Sequence, residues 1–123
     1  MVKEFAYKIC NAILRMRKGL GRRFWMWYNV QDLKSHGVKF SNASSVKMYG
    51  RHVLRISPHS HIQIGHSFIS RSGEDSGIET AITKILVSNN ACLAIGDSCG
   101  ISNATILCNN SITIGNRVLM GGV

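Results

Sequence analysis

The sequence predicts a mainly β chain, a coil of short stacked parallel strands behind one N-terminal α-helix. Three observations predict it. A nine-position apolar pattern recurs four times from residue 40 onward. A helical period governs the first twenty residues and then disappears. Gly is frequent, at 12, while Pro occurs once, so the many turns must come from Gly, Asn, Asp and Ser.

The repeat is the most informative of the three. Its copies are Phe40-SNASS-Val46-Lys-Met48, Ile56-SPHSH-Ile62-Gln-Ile64, Val87-SNNAC-Leu93-Ala-Ile95 and Ile106-LCNNS-Ile112-Thr-Ile114. In each, an apolar residue is followed six and eight positions later by two more. Gly65-His66, Gly96-Asp97 and Gly115-Asn116 close the last three copies. A fixed repeat is read before other signals because it sets the architecture. Alternation within each run gives short strands, and Ile62, Ile64, Leu93, Ile95, Ile101, Ile112 and Ile114 are expected to point inward. Ile95, Ile101 and Leu107 stand six apart, with Cys99, Thr105 and Ser111 four after each. Three strands and three corners then close one rung, and stacked rungs bury a continuous apolar column that no single rung could bury.

The copies start 16, then 31, then 19 residues apart. The long interval holds SRSGEDSGIETAITKI, whose first part is polar and Gly-rich. It reads as a loop near 71–77. The alternative is an extra partial rung through Ile78, Ile82 and Ile85.

The first third is different. Phe5, Ile9, Ile13, Met16 and Leu20 follow spacings of 4, 4, 3 and 4, one face of a helix. Gly19 and Gly21 are expected to end it, with an aromatic linker following in GRRFWMWYNV. The chain thus divides into 1–37, a basic amphipathic helix and aromatic linker, and 38–123, the repeat. Residues 1–39 carry nine Lys/Arg against Glu4 and Asp32, so +7 of the net +9 lies there. A basic amphipathic helix beside aromatics suits an anionic membrane surface. The preferred reading of the stripe is packing, on the rest of the chain or on a sister subunit. Cys10, Cys92, Cys99 and Cys108 form no C-x-x-C pair. They read as free, mostly buried thiols of a cytosolic-side protein.

The stretches LAIGDSCGISNATI and ITIGNRVLMGG resemble the hexapeptide repeats of the left-handed β-helix acyltransferases. The resemblance covers about residues 38–123. The basic helix is similar to the leader of bacterial members that acetylate surface sugars in polysaccharide biosynthesis. The resemblance implies a left-handed parallel β-helix, against the usual right-handed crossover rule. It implies acyl transfer from acetyl-CoA or another acyl-CoA to a hydroxyl, with no metal. It also implies a homotrimer with sites between coils and a cytoplasmic location, peripheral at the inner face of the membrane if the helix binds lipid. A histidine serves as general base in such enzymes, in a segment following the IGNRVLMGG-type rung. The sequence is therefore expected to lack that base, and to leave Ile112, Ile114, Val118 and Met120 at an uncovered end.

The five histidines, His36, His52, His59, His61 and His66, all precede that position. His59 and His61 share a strand face but have no nearby Cys, Asp or Glu to complete a metal site. His66 takes a corner position. Ser102 and Asn103 are the candidate substrate-binding residues implied by the resemblance, and turn formation is the alternative role of both. Cys99 reads as a small inward residue. Two other functions compete with acyl transfer. One is a catalytically inactive structural or interaction coil. The other is nucleic-acid binding through the N-terminal charge, which ranks last because the repeat offers no basic groove studded with aromatics.

Overall fold

The computed structural model describes residues 2–73 and 81–121. It is mainly β, and the described residues include an α-helix, α1 (Val2–Ser35), and a short 3-10 turn at Ala43–Ser45. The strands are β1 (Lys39–Phe40), β2 (Lys47–Tyr49), β3 (Val53–Ile56), β4 (His61–Ile64), β5 (Ile69–Arg71), β6 (Lys84–Val87), β7 (Cys92–Ile95), β8 (Gly100–Ser102), β9 (Thr105–Cys108), β10 (Ser111–Ile114) and β11 (Leu119–Gly121).

The helix does not stop at Gly19 or Gly21 but runs on to Ser35, through the segment expected to be an aromatic linker. A glycine inside a helix costs about 1 kcal/mol relative to Ala yet still donates its hydrogen bond. Gly37 ends the helix instead. It takes the left-handed conformation, with φ at +80°. Its N–H donates to the Lys34 carbonyl and the Val38 N–H reaches back to the Leu33 carbonyl at 3.2 Å. Leu33 and Val38 are both buried. This pair of bonds with its apolar contact is the Schellman stop.

Every strand pairing among the described residues is parallel and joins strands three apart in the chain. The first sheet runs β1-β4-β7-β10, the second β11-β8-β5-β2 and the third β3-β6-β9. The chain therefore visits the three sheets in rotation. Ile62 pairs with Leu93 and Leu93 with Ile112, while Ile64 pairs with Ile95 and Ile95 with Ile114. These are the pairings the repeat predicts. Two copies sit elsewhere. Phe40 pairs with Ile64, not with Ile56, and Met48 belongs to the second sheet. Ile106 pairs with Ile85, whereas Val87 pairs with Cys108. Leu107 is exposed, and Ile106 and Cys108 point inward in its place. The cause is degeneracy. Each face carries the same alternating strand after a polar corner, so the pattern matches at any of the three. The corner between β9 and β10 is also two residues shorter than that between β6 and β7.

Inward residues of the three sheets form the core, from Val46 and Met48 through Ile62, Ile64, Leu93 and Ile95 to Ile101. Phe68 and Cys99 stand just before β5 and β8 and fill the same column. Cys99 and Cys108 are buried, but Cys10 and Cys92 are exposed, so only half of the thiols are inside. Cys92 opens β7 on its outward alternation, and Cys10 lies on an exposed stretch of α1. Ile112, Ile114, Val118 and Met120 are partly buried against the core.

One corner is built from a ladder of small residues. The Asp97 carboxylate accepts from the His66 N–H at 2.8 Å. The Asn116 side-chain oxygen accepts from the Asp97 N–H at 2.8 Å. Gly65, Gly96 and Gly115 stack beneath these bonds. A Cβ on Gly96 would meet the Gly115 carbonyl carbon and oxygen at 2.7 Å and press on the Asn116 oxygen. A side chain at that position would push the Gly96 and Gly115 corners apart. Beyond Gly96, the residue in the left-handed region is Ser98 (φ +57°), with Ser67 and Arg117 in the equivalent places.

The expected loop near 71–77 falls mostly outside the described residues. Arg71 ends β5, and the base of the segment is tied. Gly73 N–H donates to the Ala81 carbonyl at 2.9 Å. The buried Ser72 hydroxyl donates to the Arg51 carbonyl and accepts from the Thr83 N–H. Thr83 Oγ1 donates to the Arg71 carbonyl at 2.7 Å. Buried hydroxyls take the place of apolar side chains at both described ends of the connection between β5 and β6. β6 takes the next place in the rotation, in the third sheet.

The ladder gives a paired prediction. Gly96→Ala should destabilise the chain by about 1–3 kcal/mol, as overpacking does. Gly115→Ala, which meets nothing within 4 Å, should change stability by less than about 0.5 kcal/mol. Urea unfolding of both variants checks the difference. Equal losses would contradict the close approach of the two glycines.

Candidate functional site

The outward face of the second sheet forms a groove. Alternation in β5, β8 and β11 turns Ser70, Ile101 and Met120 inward. It leaves Ile69, Gly100 and Leu119 in register outside, with Arg71, Ser102 and Gly121 beside them. The groove they line holds about 550 Å³. Its floor is low because Gly100 has no side chain, and the Leu119 side chain lies over it. Leu119 is 82% exposed.

Arg71 marks the polar end. Its guanidinium lies over the Tyr49 ring at 5.7 Å, and Arg22 of the helix approaches the same ring at 5.9 Å. Contacts of this kind hold a cation beside an apolar surface while leaving its N–H groups able to bond. Ser102 pairs with Arg71 across the strands and lines the groove. Asn103 follows at a left-handed corner, with φ at +52°. Its N–H faces the Arg71 carbonyl at 3.4 Å. Its side-chain oxygen is buried and has no protein partner. The structure thus brings Ser102 into the groove, while Asn103, the next residue, does not line it and keeps its side-chain oxygen buried.

The histidines lie apart from this groove. His59 takes a left-handed corner at φ +61°, and His61 is on the exposed alternation of β4. His66 is an exposed corner residue whose N–H meets Asp97. His36 bonds at the helix end, its Nδ1 lying 2.8 Å from the Asp32 carbonyl. Among the described residues, no group of His, Cys, Asp or Glu is placed to hold a metal ion. Cys99 is buried, and its thiol donates to the Gly115 carbonyl.

His52 is the residue that sequence reasoning passed over. It is buried where the helix meets the strands. Its Nε2 lies 2.6 Å from Ser70 Oγ, and its Nδ1 lies 2.9 Å from the Gly50 carbonyl. Asn29 of the helix donates from Nδ2 to the Met48 and Gly50 carbonyls at 3.2 and 2.9 Å. The Gly50 carbonyl can only accept, which assigns the proton to Nδ1. Nε2 then accepts from the Ser70 hydroxyl. Burial holds the imidazole below its ordinary 6.5, with the Gly50 bond opposing. This serine–histidine pair is a fastener, because Ser70 is fully buried and no substrate can reach it. No motif in Gly50-Arg51-His52 signals it. The only hint is a histidine directly before the strand Val53–Ile56.

No family model, no curated protein and no solved structure matches this chain. Function must therefore be argued from the strand order and the groove. Among the described residues no helix is long and apolar enough to cross a membrane.

The fastener has a pH signature. Because the folded pKa of His52 is lowered, the unfolded state binds more protons below about pH 6.5. Its contribution is full above 6.5, falls as pH drops through that value and levels off below the folded pKa. Thermal melts from pH 7.5 to 5 should show this loss. His52→Gln should flatten that part of the slope and cost about 1–3 kcal/mol at neutral pH by orphaning buried partners. An unchanged slope in the variant would count against a neutral buried imidazole.

Proposed function

We propose that the chain is an acyl-CoA-dependent acyltransferase on a left-handed parallel β-helix, moving an acetyl group to a hydroxyl of a sugar or surface-polysaccharide precursor. The observation that supports it most is the rotation of strands through three parallel sheets in the register of the hexapeptide-like repeat. Handedness and chemistry come from the resemblance of the LAIGDSCGISNATI and ITIGNRVLMGG stretches to that family.

The groove suits such a substrate pair. Ile69 and Leu119 offer an apolar wall for the arm of an acyl-CoA, and Arg71 offers a cation for its phosphates. Ser102 is placed to hydrogen-bond an acceptor hydroxyl. In the reaction the acceptor oxygen attacks the thioester carbonyl carbon. The carbon–sulfur bond then breaks, and the hydroxyl proton ends on the released thiol. A general base on the acceptor typically contributes about 10²–10⁴ in rate. None of the five histidines lines this groove. The reading includes a cytoplasmic trimer in which the exposed Ile69 and Leu119 face lies against a neighbouring coil.

The absence of an imidazole in the groove favours a second reading, a coil that keeps its packing and acts as a structural or interaction module. Acetyl-CoA separates the two. The acyltransferase reading expects saturable acetyl-CoA binding by calorimetry, weakened roughly tenfold by Leu119→Asp. Free-thiol release with monosaccharide acceptors should run about 10²–10⁴ below ordinary enzyme rates. No binding of acetyl-CoA or of longer acyl-CoAs would leave the module reading standing.

A further inference from the structure

The helix stripe expected to pack on the rest of the chain or on a sister subunit is exposed on this chain. Phe5 is 68% exposed, Ile9 44%, Ile13 57%, Met16 67%, Leu20 65% and Phe24 50%. Among the described residues, the helix meets the strands through its second half, where Leu33 is buried, Val30 packs on the core, Asn29 reaches the strands beside β2 and Arg22 approaches the Tyr49 ring. The six stripe residues therefore present an apolar face left open on this chain.

The spacing of that face is informative. The steps are 4, 4, 3, 4 and 4, so Phe5 and Met16 stand eleven residues apart, as do Ile9 and Leu20, and Ile13 and Phe24. An eleven-residue period is 3.67 residues per turn, close to that of a straight helix. The stripe therefore stays on one side over about 30 Å without winding. A straight stripe fits a flat surface. The left-handed winding of a heptad pair would need steps averaging 3.5.

Charge names the surface. Lys3, Lys8 and Arg23 are exposed on the same helix, in the 39-residue segment that carries +7. A second copy would bring an identical positive charge against this one, whereas an anionic lipid surface neutralises it. Exposed Trp27 and Tyr28 follow the stripe, and such rings favour the headgroup level. No helix among the described residues is long and apolar enough to cross. We infer that α1 lies flat on an anionic phospholipid surface, its Phe5–Phe24 stripe in the acyl boundary and its strand-bearing end held off by the Asn29 and Leu33 anchor. This inference does not rest on the acyl-transfer reading.

The test uses the whole chain and sedimenting vesicles. One set is pure phosphatidylcholine, the other an equimolar mixture with phosphatidylglycerol. The chain should pellet with the anionic set and remain in solution with the neutral one, and added salt should weaken the binding. Ile13→Glu with Met16→Glu should lower the partition coefficient at least roughly tenfold. Lys3→Gln with Lys8→Gln should lower it by roughly tenfold at low salt. Both variants lie away from the His52 fastener, and an unchanged strand signal in circular dichroism verifies that the fold survives. Three results would overturn the inference: no pelleting with anionic vesicles, equal pelleting with both sets, or pelleting unaffected by the glutamates. A stripe-dependent oligomer in light scattering, with no vesicle binding, would also overturn it and assign the face to a second copy.

Discussion

Parallel pairing between strands three apart is the constraint on which the structure depends. No strand here is bonded to its neighbour in sequence, so none can form as a local hairpin. Each is stabilised only once the chain has gone through three corners and returned in register. The return must be accurate to one residue, since a slip of one turns every core side chain out. Corners therefore carry as much of the specification as strands do. At the Gly65, Gly96 and Gly115 corner, missing side chains let successive turns approach, and the Asp97 and Asn116 oxygens tie each turn to the N–H of the one before.

The same constraint explains where polar groups enter the interior. Ser70, Ser72 and Thr83 are buried near the two ends of the connection between β5 and β6, and their side chains bond to His52, the Thr83 N–H and the Arg71 carbonyl respectively. His52 stands at the adjoining junction and links the helix, through Asn29 and the Gly50 carbonyl, to β5. The helix joins the strands through this fastening, through Leu33 and Val30, and through Arg22 on the Tyr49 ring, while Phe5, Ile9, Ile13, Met16, Leu20 and Phe24 stay exposed. Stability near residue 50 is thus coupled to the placement of a charged helix on the outside of the stack.

Much of this was legible in the sequence. Alternation and spacing gave the strands and the inward side of β4, β7 and β10. The loop expected near 71–77 lies mostly outside the described residues. Alternation and spacing could not fix which face Phe40 or Ile106 occupied, because a six-residue pattern looks alike on all three faces. The helix stop was misplaced because Gly19 and Gly21 resemble terminators in composition. Only Gly37 has a buried Leu33 and Val38 to complete the stop. The helix stripe was legible as a face but not as an exposed one, because period does not reveal what lies opposite. Of the candidate site residues, Ser102 lines a groove and Asn103 adjoins it. The Tyr49 and Arg71 contact joins residues 22 apart and leaves no local pattern. His52 was invisible for a similar reason, since its partner Ser70 lies 18 residues away and Asn29, which shares the Gly50 carbonyl with it, lies 23 away.

The register between neighbouring turns can be measured directly at Cys92, which is exposed and pairs with Ser111. Nitroxide labels on Cys92 and on Ser111→Cys, in a chain carrying Cys10→Ser, would sit on adjacent parallel strands about 4.8 Å apart. Their spectrum should be strongly broadened by dipolar coupling, relative to either label alone. A sharp spectrum equal to the sum of the two single-label spectra would contradict the in-register stack.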